Sequence, residues 1–255
     1  MKLLRFKLLW LIRSWAFAPL FLIPASGFSQ DPLTNWSEVY SSPATINGLA
    51  YGNGTFVGVG GGFRAISHDG SNWAAYASPP ILKQAGIAFG NGTFLTFGTN
   101  VENQTIIYQS TNGLNWSPIF TNANGLFAAA YGNNTWVFIG PNEMLAATLN
   151  SSNWTWTEFQ PTFSPAFVTF GNGLFALESS GGLVLSSLDG ILWQFQSAIS
   201  DAPSALAYGN GIFLTISFGI NTNTWTNFGF YSWTSSDLIQ WTSHFFLGFV
   251  SKIYG

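Results

Sequence analysis

The sequence predicts an all-β fold of about five repeated four-stranded units, because two motifs recur along it in phase. The first, Tyr-Gly-Asn-Gly-x-Phe in its full form, occupies 51–56, 89–94, 131–136, 170–175 and 208–213. The second, Ser-x-Asp-Gly-x-x-Trp, alternates with it at 67–73, 110–116, 187–193 and 235–241, with a degenerate copy at 148–154. Repeats of about 40 residues are typical of folds in which each unit buries its apolar face only against its neighbours. We therefore predict a β-propeller of about five blades.

The two motifs mark two different turns of each unit. Asn-Gly favours a type I′ hairpin, which needs positive φ at both central residues. Asp-Gly marks a second turn, where Ser and Asp side chains can bond the turn backbone. In the first unit this predicts strands A, B, C and D at 49–51, 55–60, 65–67 and 73–77. We name the turns after the strands they join, so that the first motif is the A–B turn and the second the C–D turn.

The glycine-rich stretch at 58–62 and the lack of helical periodicity after residue 30 agree with this assignment. A phosphate-binding loop needs a helix N-terminus behind it, whereas this stretch leads into a predicted strand. We interpret it as the B–C turn of the first unit.

The ends of the repeat region leave the blade number open between five and six. Trp36 precedes the first A–B motif as Trp116 and Trp193 precede theirs, which predicts an extra strand D. Tyr254-Gly255 falls where a further strand A would end. Five blades are the prediction, and six with one incomplete blade are the alternative.

The second motif resembles the Asp-box (BNR-like) turn of sialidase-like β-propellers, in shortened form. Its pairing with Tyr-Gly-Asn-Gly-x-Phe is similar to repeats of exported bacterial proteins, and the resemblance covers Trp36 to Gly255. In such families the Asp-box is a structural turn remote from any active site. The resemblance therefore implies a fold and assigns no activity, so Asp69, Asp189 and Asp237 are expected to stabilise turns.

The N-terminal residues 1–29 are predicted to be a secretory signal peptide, followed by a single propeller domain at 30–255. A basic start, an apolar stretch at 15–24 and small residues at 25–27 follow the pattern of such signals. A membrane anchor is the alternative, but Arg13 shortens the apolar run below the ~20 residues of a membrane span. The expected location is secreted, periplasmic or on the cell surface, with no membrane insertion after cleavage.

Composition excludes several functions. The chain has no cysteine, which rules out disulfides and thiolate chemistry. After residue 30 there are three basic residues, Arg64, Lys83 and Lys252, against ten acidic ones, so nucleic acid is not an expected partner. A sialidase needs several arginines for its carboxylate substrate, and Arg64 is the only arginine after residue 30, so this activity is close to excluded. The two histidines, His68 and His244, lie in no metal-binding motif. We predict no cofactor and no metal.

The predicted functional site lies on the face formed by the B–C turns and the D–A connections. Consecutive turns of a meander alternate between faces, and the loops on this face vary most between repeats, which often marks a binding face. The candidate binding residues each occur once, outside the repeated motifs: Arg64, Glu102, Glu143, Glu178 and Trp225. The alternative interpretation is that these are solvated loop residues, with Arg64 paired to a neighbouring glutamate.

Two functions follow from these residues. The first is a secreted, non-catalytic binding module for a glycan or an extracellular protein, since polar loops and an occasional aromatic such as Trp225 suit sugar rings. The second is a glycoside hydrolase or other glycan-active enzyme that uses Glu102, Glu143 or Glu178 as acid and nucleophile. The scarcity of supporting charge and the absence of an activating partner in the sequence favour the binding module.

Overall fold

The computed structural model describes residues 45–77, 83–102, 104–122, 125–141, 143–150, 153–199, 203–220 and 228–247. Their strands form five four-stranded antiparallel sheets, consistent with the predicted five-blade β-propeller. The chain divides into two compact units, Met1–Ala123 and Asn124–Gly255, which are described separately below.

The first unit contains blades 1 and 2. Blade 1 consists of β1 (Gly48–Gly52), β2 (Thr55–Gly60), β3 (Phe63–Ser67) and β4 (Ala74–Ala77). Blade 2 consists of β5 (Lys83–Gly90), β6 (Thr93–Thr99), β7 (Thr105–Ser110) and β8 (Ser117–Asn122). Each blade is a meander in which strands pair in chain order, and β1 packs against β5.

The second unit contains blades 3, 4 and 5, with the same meander in each. Blade 3 consists of β9 (Ala128–Gly132), β10 (Thr135–Gly140), β11 (Glu143–Asn150) and β12 (Asn153–Phe159). Blade 4 consists of β13 (Pro165–Gly171), β14 (Leu174–Ser179), β15 (Leu183–Ser187) and β16 (Gln194–Ala198). Blade 5 consists of β17 (Pro203–Gly209), β18 (Ile212–Ile220), β19 (Phe228–Ser235) and β20 (Thr242–Leu247). In this unit β13 packs against both β9 and β17.

The A–B turns have the predicted backbone conformation in all five blades. The first central residue is an asparagine with φ between 46° and 52° in each turn: Asn53, Asn91, Asn133, Asn172 and Asn210. The next residue also has positive φ, and it is glycine everywhere except in blade 3, where Asn134 has φ 60°. Asparagine and glycine tolerate this left-handed region, so the repeated Asn-Gly pair is explained by the hairpin it forms.

The core lies between neighbouring blades and is built from the B strands. Val57 and Val59 of β2 are fully buried and cluster with Ile87 and Phe94 of blade 2. Within each unit, side chains alternate along strand B, so that every second residue meets the next blade and the others meet the preceding one. The equivalent clusters in the second unit contain Val137, Ile139, Phe175 and Leu177 between blades 3 and 4, and Ala176 and Phe213 between blades 4 and 5.

A ring from the next blade covers the glycine that ends strand A. A Cβ atom at Gly52 would overlap the ring of Phe89, and one at Gly132 would overlap Phe170. At Gly171 the overlapping ring is that of Tyr208. The first glycine of the Tyr-Gly-Asn-Gly motif is therefore needed for blade packing, whereas the second is needed for the turn.

Blade 3 departs from the predicted C–D turn. The degenerate motif was expected to form this turn at 148–154, with Trp154 after it. Instead β11 continues to Asn150, which pairs with Asn153, so that the strands close in a tighter hairpin and Trp154 pairs with Leu149 inside the sheet. Trp154 stacks on Trp156 with ring centroids 5.4 Å apart. The loss of the serine and the glycine from this copy explains the change.

Several predictions lie outside the described residues, among them the signal peptide at 1–29, the extra strand D at Trp36 and the extra strand A at Tyr254. Within the residues that the structure covers, no helix has the length and apolar character needed to cross a membrane.

Candidate functional site

The C–D turns satisfy their own polar groups. In blade 4, Asp189 Oδ1 accepts hydrogen bonds from the backbone N–H groups of Ile191 (2.8 Å) and Leu192 (2.9 Å) and from the Ser187 hydroxyl (3.0 Å). The Ser187 hydroxyl oxygen in turn accepts the Gly190 N–H at 2.8 Å, and the Trp193 indole donates to the Gly190 carbonyl at 3.1 Å. The same pattern holds the turns that begin at Ser67, Ser110 and Ser235.

These hydrogen bonds lower the pKa of the turn aspartates. The largest cause at Asp189 is the Leu192 N–H, followed by that of Ile191, and Asp69 and Asp237 are affected in the same way by their own turns. A carboxylate held in its charged form is poorly suited to act as a general acid or base near neutral pH. The geometry supports the structural role expected for these aspartates.

Replacing Asp189 with alanine is expected to destabilise the fold by about 1 kcal/mol, by analogy with helix caps. The reason is the loss of the acceptor for two turn N–H groups. Asp189→Asn is the matched control, since Asn112 accepts the equivalent N–H groups in blade 2 at 2.9 Å. Thermal unfolding near pH 7 should place Asp189→Asn close to wild type and Asp189→Ala below it. Equal stability of all three proteins would contradict this role.

The A–B asparagines tie neighbouring blades together. Asn53 Nδ2 donates to the carbonyls of Gly92 (2.9 Å) and Thr111 (3.0 Å) in blade 2. Asn133 makes the same two bonds to blade 4, at Gly173 (2.9 Å) and Leu188 (2.8 Å). An A–B turn thus lies beside the A–B and C–D turns of the next blade. This confirms the alternation of faces within each unit, and we call this side the A–B/C–D face.

Arg64 is the second residue of β3 and is half-buried. Its guanidinium donates to the carbonyls of Ala77 and of Leu114 (2.9 Å), the latter in the C–D turn of blade 2, and lies 5.6 Å from the ring centroid of Tyr76. Partial burial lowers the pKa of Arg64. The partners of Arg64 are thus backbone carbonyls, whereas the alternative interpretation predicts an ion pair with a glutamate. The side chain joins blade 1 to a turn of blade 2.

Glu102 is exposed in the B–C turn of blade 2, which Asn100 and Gln104 hold together. Asn100 Oδ1 accepts the N–H groups of Glu102 (2.9 Å) and Gln104 (3.0 Å), and the two side-chain amides bond at 3.1 Å. The structure therefore presents this carboxylate on an ordered polar turn. Glu143 begins β11, where its backbone pairs with Gly140, and Trp225 lies outside the described residues.

Glu178 lies inside the sheet and not in the neighbouring turn. It is the penultimate residue of β14 and only 1% exposed. Its Oε2 accepts a hydrogen bond from the Thr215 hydroxyl of blade 5 at 2.7 Å, whereas Oε1 is buried without a partner. Desolvation raises the pKa of Glu178 to about 7, against the opposing effect of the Thr215 hydrogen bond. Its near partner is a hydroxyl and not the second carboxylate that glycoside hydrolysis needs.

An exposed apolar cluster was missed by the sequence reasoning. Leu188, Ile191 and Leu192 of the blade 4 C–D turn are 69%, 43% and 73% exposed, and Phe195 at the start of β16 is 62% exposed. Ile239 in the C–D turn of blade 5 is also exposed. A signal existed in the sequence, because the positions of Leu188, Ile191 and Leu192 carry polar residues in blade 1. Those counterparts are His68, Ser71 and Asn72.

The described residues contain no group of three or more His, Cys, Asp or Glu side chains that could hold a metal ion. Two other features of the described residues are candidates for a function. One is the buried carboxyl group of Glu178 between blades 4 and 5, and the other is the set of exposed apolar side chains on the A–B/C–D face of the same unit.

Comparisons with solved structures confirm the fold class. A structure of YCF48 bound to D1 peptide has a TM-score of 0.55 and 15% identity, and the match covers 78% of this chain and 66% of that chain. The WD40 domain of Neurospora crassa Pan2 has a TM-score of 0.57 at 13% identity, over 77% of this chain and 64% of that chain. A nidogen/laminin complex gives 0.58 at 10% identity, over 80% of each chain.

At these identities the likeness concerns the propeller fold alone. The chain spans slightly less than two thirds of the YCF48 chain that it matches. No family model matches the sequence, and the search of curated proteins found no match.

Proposed function

We propose that the chain is a non-catalytic binding module that holds an uncharged, apolar segment of a partner protein. The observation that carries the proposal is the cluster of Leu188, Ile191, Leu192 and Phe195, which the fold leaves in water. Blade 1 forms the same turn with polar residues, so the apolar side chains are not needed to fold the turn. Four large apolar side chains are thus exposed within eight residues of the chain, and exposed apolar surface of this kind marks candidate interaction sites.

The electrostatics of this turn favour an uncharged partner. Asp189 is the sole ionisable residue between Ser187 and Ile199, and its Oδ1 is occupied by two backbone N–H groups and a hydroxyl. Such a surface offers hydrophobic contact and no cation for an acidic ligand. The solved propellers that this chain resembles include one bound to a peptide and one in a protein complex, which supports a protein partner.

The proposal also includes an extracellular setting, secreted, periplasmic or on the cell surface. Its support is the predicted signal peptide and the resemblance to exported Asp-box repeat proteins. The test of this part is whether the exported product begins after residue 29.

A selection from a random peptide library against the folded protein tests the binding role. We expect apolar, uncharged peptides, whose affinity falls by about 10-fold or more in a Leu188→Asn plus Leu192→Asn variant, because burying one leucine contributes about 1.5–3 kcal/mol. The matched control is His68→Ala plus Asn72→Ala at equivalent positions of blade 1. Peptides that bind all three proteins equally, or no peptide at all, would overturn the proposal.

A glycan ligand on the opposite face is the second candidate, and the ordered polar turn that presents Glu102 favours it. A glycan array run with the same protein separates the two. Binding that is lost in Glu102→Gln or Trp225→Ala, and unchanged in the Leu188→Asn plus Leu192→Asn variant, would establish the glycan site instead.

A further inference from the structure

Glu178 occupies a position that the repeat otherwise reserves for apolar core residues. Counted from the start of strand B, its equivalents are Val59, Phe97 and Ile139, which are at most 2% exposed, and Ile216 of blade 5, which is half-buried. In blade 3 the equivalent Ile139 packs against Leu177 of blade 4 in an apolar cluster. At the next interface the corresponding pair is Glu178 and Thr215. A buried carboxyl group thus replaces apolar packing at this one described interface.

The surroundings of Glu178 favour its neutral form. It pairs across the sheet with Phe167 and Val184, both buried, and its single hydrogen bond leaves Oε1 without a partner. A protonated carboxyl group has one O–H donor, and the Thr215 hydroxyl, 2.7 Å from Oε2, can accept its hydrogen bond. An ionised carboxylate would require several donors or a cation, since an unpaired buried charge is strongly unfavourable.

No cation is available from the packed elements. Within the described residues, β14 packs against the strands β9, β10, β11, β13, β15, β17, β18 and β19, and against the C–D turn of blade 5 through Leu238. Their titratable residues are Tyr131, Tyr208 and Tyr231, with Glu143 in β11 and Asp237 in the turn, and none of these side chains is a cation. Asp201 precedes β17 but lies outside the described residues.

We propose that Glu178 makes the interface between blades 4 and 5 sensitive to pH. With the carboxyl group protonated, β14 and β18 are held together through Thr215. When the proton leaves, the carboxylate must be hydrated, so water enters between the two strands and the interface loosens. This device does not depend on the binding role proposed above, although the exposed apolar cluster belongs to the same unit.

The raised pKa of Glu178 determines the direction in which stability changes with pH. The folded state holds the proton up to a pKa of about 7, compared with 4.5 for the ordinary carboxyl group. Between these values the folded state binds more protons than the unfolded state, so stability is full at low pH and falls as pH rises through this window. The equilibrium constant for closing the interface between blades 4 and 5 should decrease on the order of 100-fold between about pH 5 and about pH 8.

Hydrogen exchange of the purified full chain, followed strand by strand at about pH 6 and about pH 8, tests the proposal. Protection factors, which correct for the intrinsic pH dependence of exchange, should fall in β14 and β18 at the higher pH while those of β10 stay constant. Glu178→Gln keeps the shape and removes the titration, so its protection factors should not change with pH. Glu178→Leu restores the apolar repeat and should behave in the same way.

The dependence of protection on pH in the wild type and in the two variants shows whether Glu178 controls the interface. A pH-dependent loss of protection in β14 and β18 that is confined to the wild type supports the device. A wild type without this loss, or a loss that persists in both variants, would show that Glu178 does not control the interface.

Discussion

Gly171→Ala is expected to destabilise the protein by about 3 kcal/mol, at the upper end of the usual cost of overpacking a well-filled core. A Cβ atom at this position would overlap the Tyr208 ring. The ring has little freedom to withdraw, because it lies against Phe213 with centroids 4.7 Å apart and packs on the blade 4–5 core cluster. Chemical denaturation monitored by tryptophan fluorescence measures the effect.

Gly173→Ala is the matched control for this prediction. Gly173 lies two residues away in the A–B turn, and a Cβ atom there would meet nothing within 4 Å. Its φ of 76° makes alanine unfavourable by about 1 kcal/mol, through backbone strain alone. A Gly171→Ala variant no less stable than Gly173→Ala would mean that the ring does not cover the strand. Gly132→Ala, beneath Phe170, should repeat the larger loss.

Leu238→Gly is expected to destabilise the protein by about 2 kcal/mol, although it relieves a strained backbone. Leu238 replaces the C–D turn glycine in blade 5, at a φ of 65° that costs a non-glycine residue about 1–2 kcal/mol. Its side chain is fully buried in one cluster with Ala176 and Phe213. Removing a buried leucine costs about 2–5 kcal/mol, which exceeds the strain that is released.

The small side chain of Ala176, which lies in the same core cluster as Leu238, explains why a leucine fits at this turn position. In the other turns, a Cβ atom at Gly113 would lie 2.6 Å from a methyl group of Val57, and one at Gly190 would overlap Val137. The residue equivalent to these valines in blade 4 is Ala176. The larger side chain of the pair therefore lies in strand B of blades 1 and 3, whereas at the interface between blades 4 and 5 it lies in the turn, as Leu238.

A double-mutant cycle tests this exchange. Ala176→Val alone should overpack against Leu238, whereas Ala176→Val combined with Leu238→Gly restores the pair found in blades 1 and 2. We expect the combined loss of stability to be smaller than the sum of the single losses by about 0.5–3 kcal/mol. Additive losses would contradict a direct contact between the two side chains. Ile239→Ala, at an exposed neighbour, should change stability by less than about 0.5 kcal/mol.

The sequence was sufficient for every feature that repeats. Asn-Gly pairs dictate left-handed backbone at each A–B turn, and the Ser and Asp side chains of the C–D turn close it locally, so the strand order within a blade follows from the spacing of the motifs. It also placed these two turns on one face, which the bonds from Asn53 to blade 2 confirm. The degenerate copy in blade 3 was predicted incorrectly, because losing serine and glycine lets the strands extend into a tighter hairpin.

The features that occur once were decided by tertiary packing. Glu178 and Glu102 both stand near a variable B–C turn in the sequence, yet Glu178 is enclosed within β14 and Glu102 is exposed in the turn after β6. The difference depends on whether a neighbouring blade covers the side chain, which no local pattern records. Arg64 likewise finds its partner Leu114 fifty residues away. Local turn chemistry is encoded in adjacent residues and can be read from the chain, whereas burial and the ionisation it controls depend on contacts between distant blades.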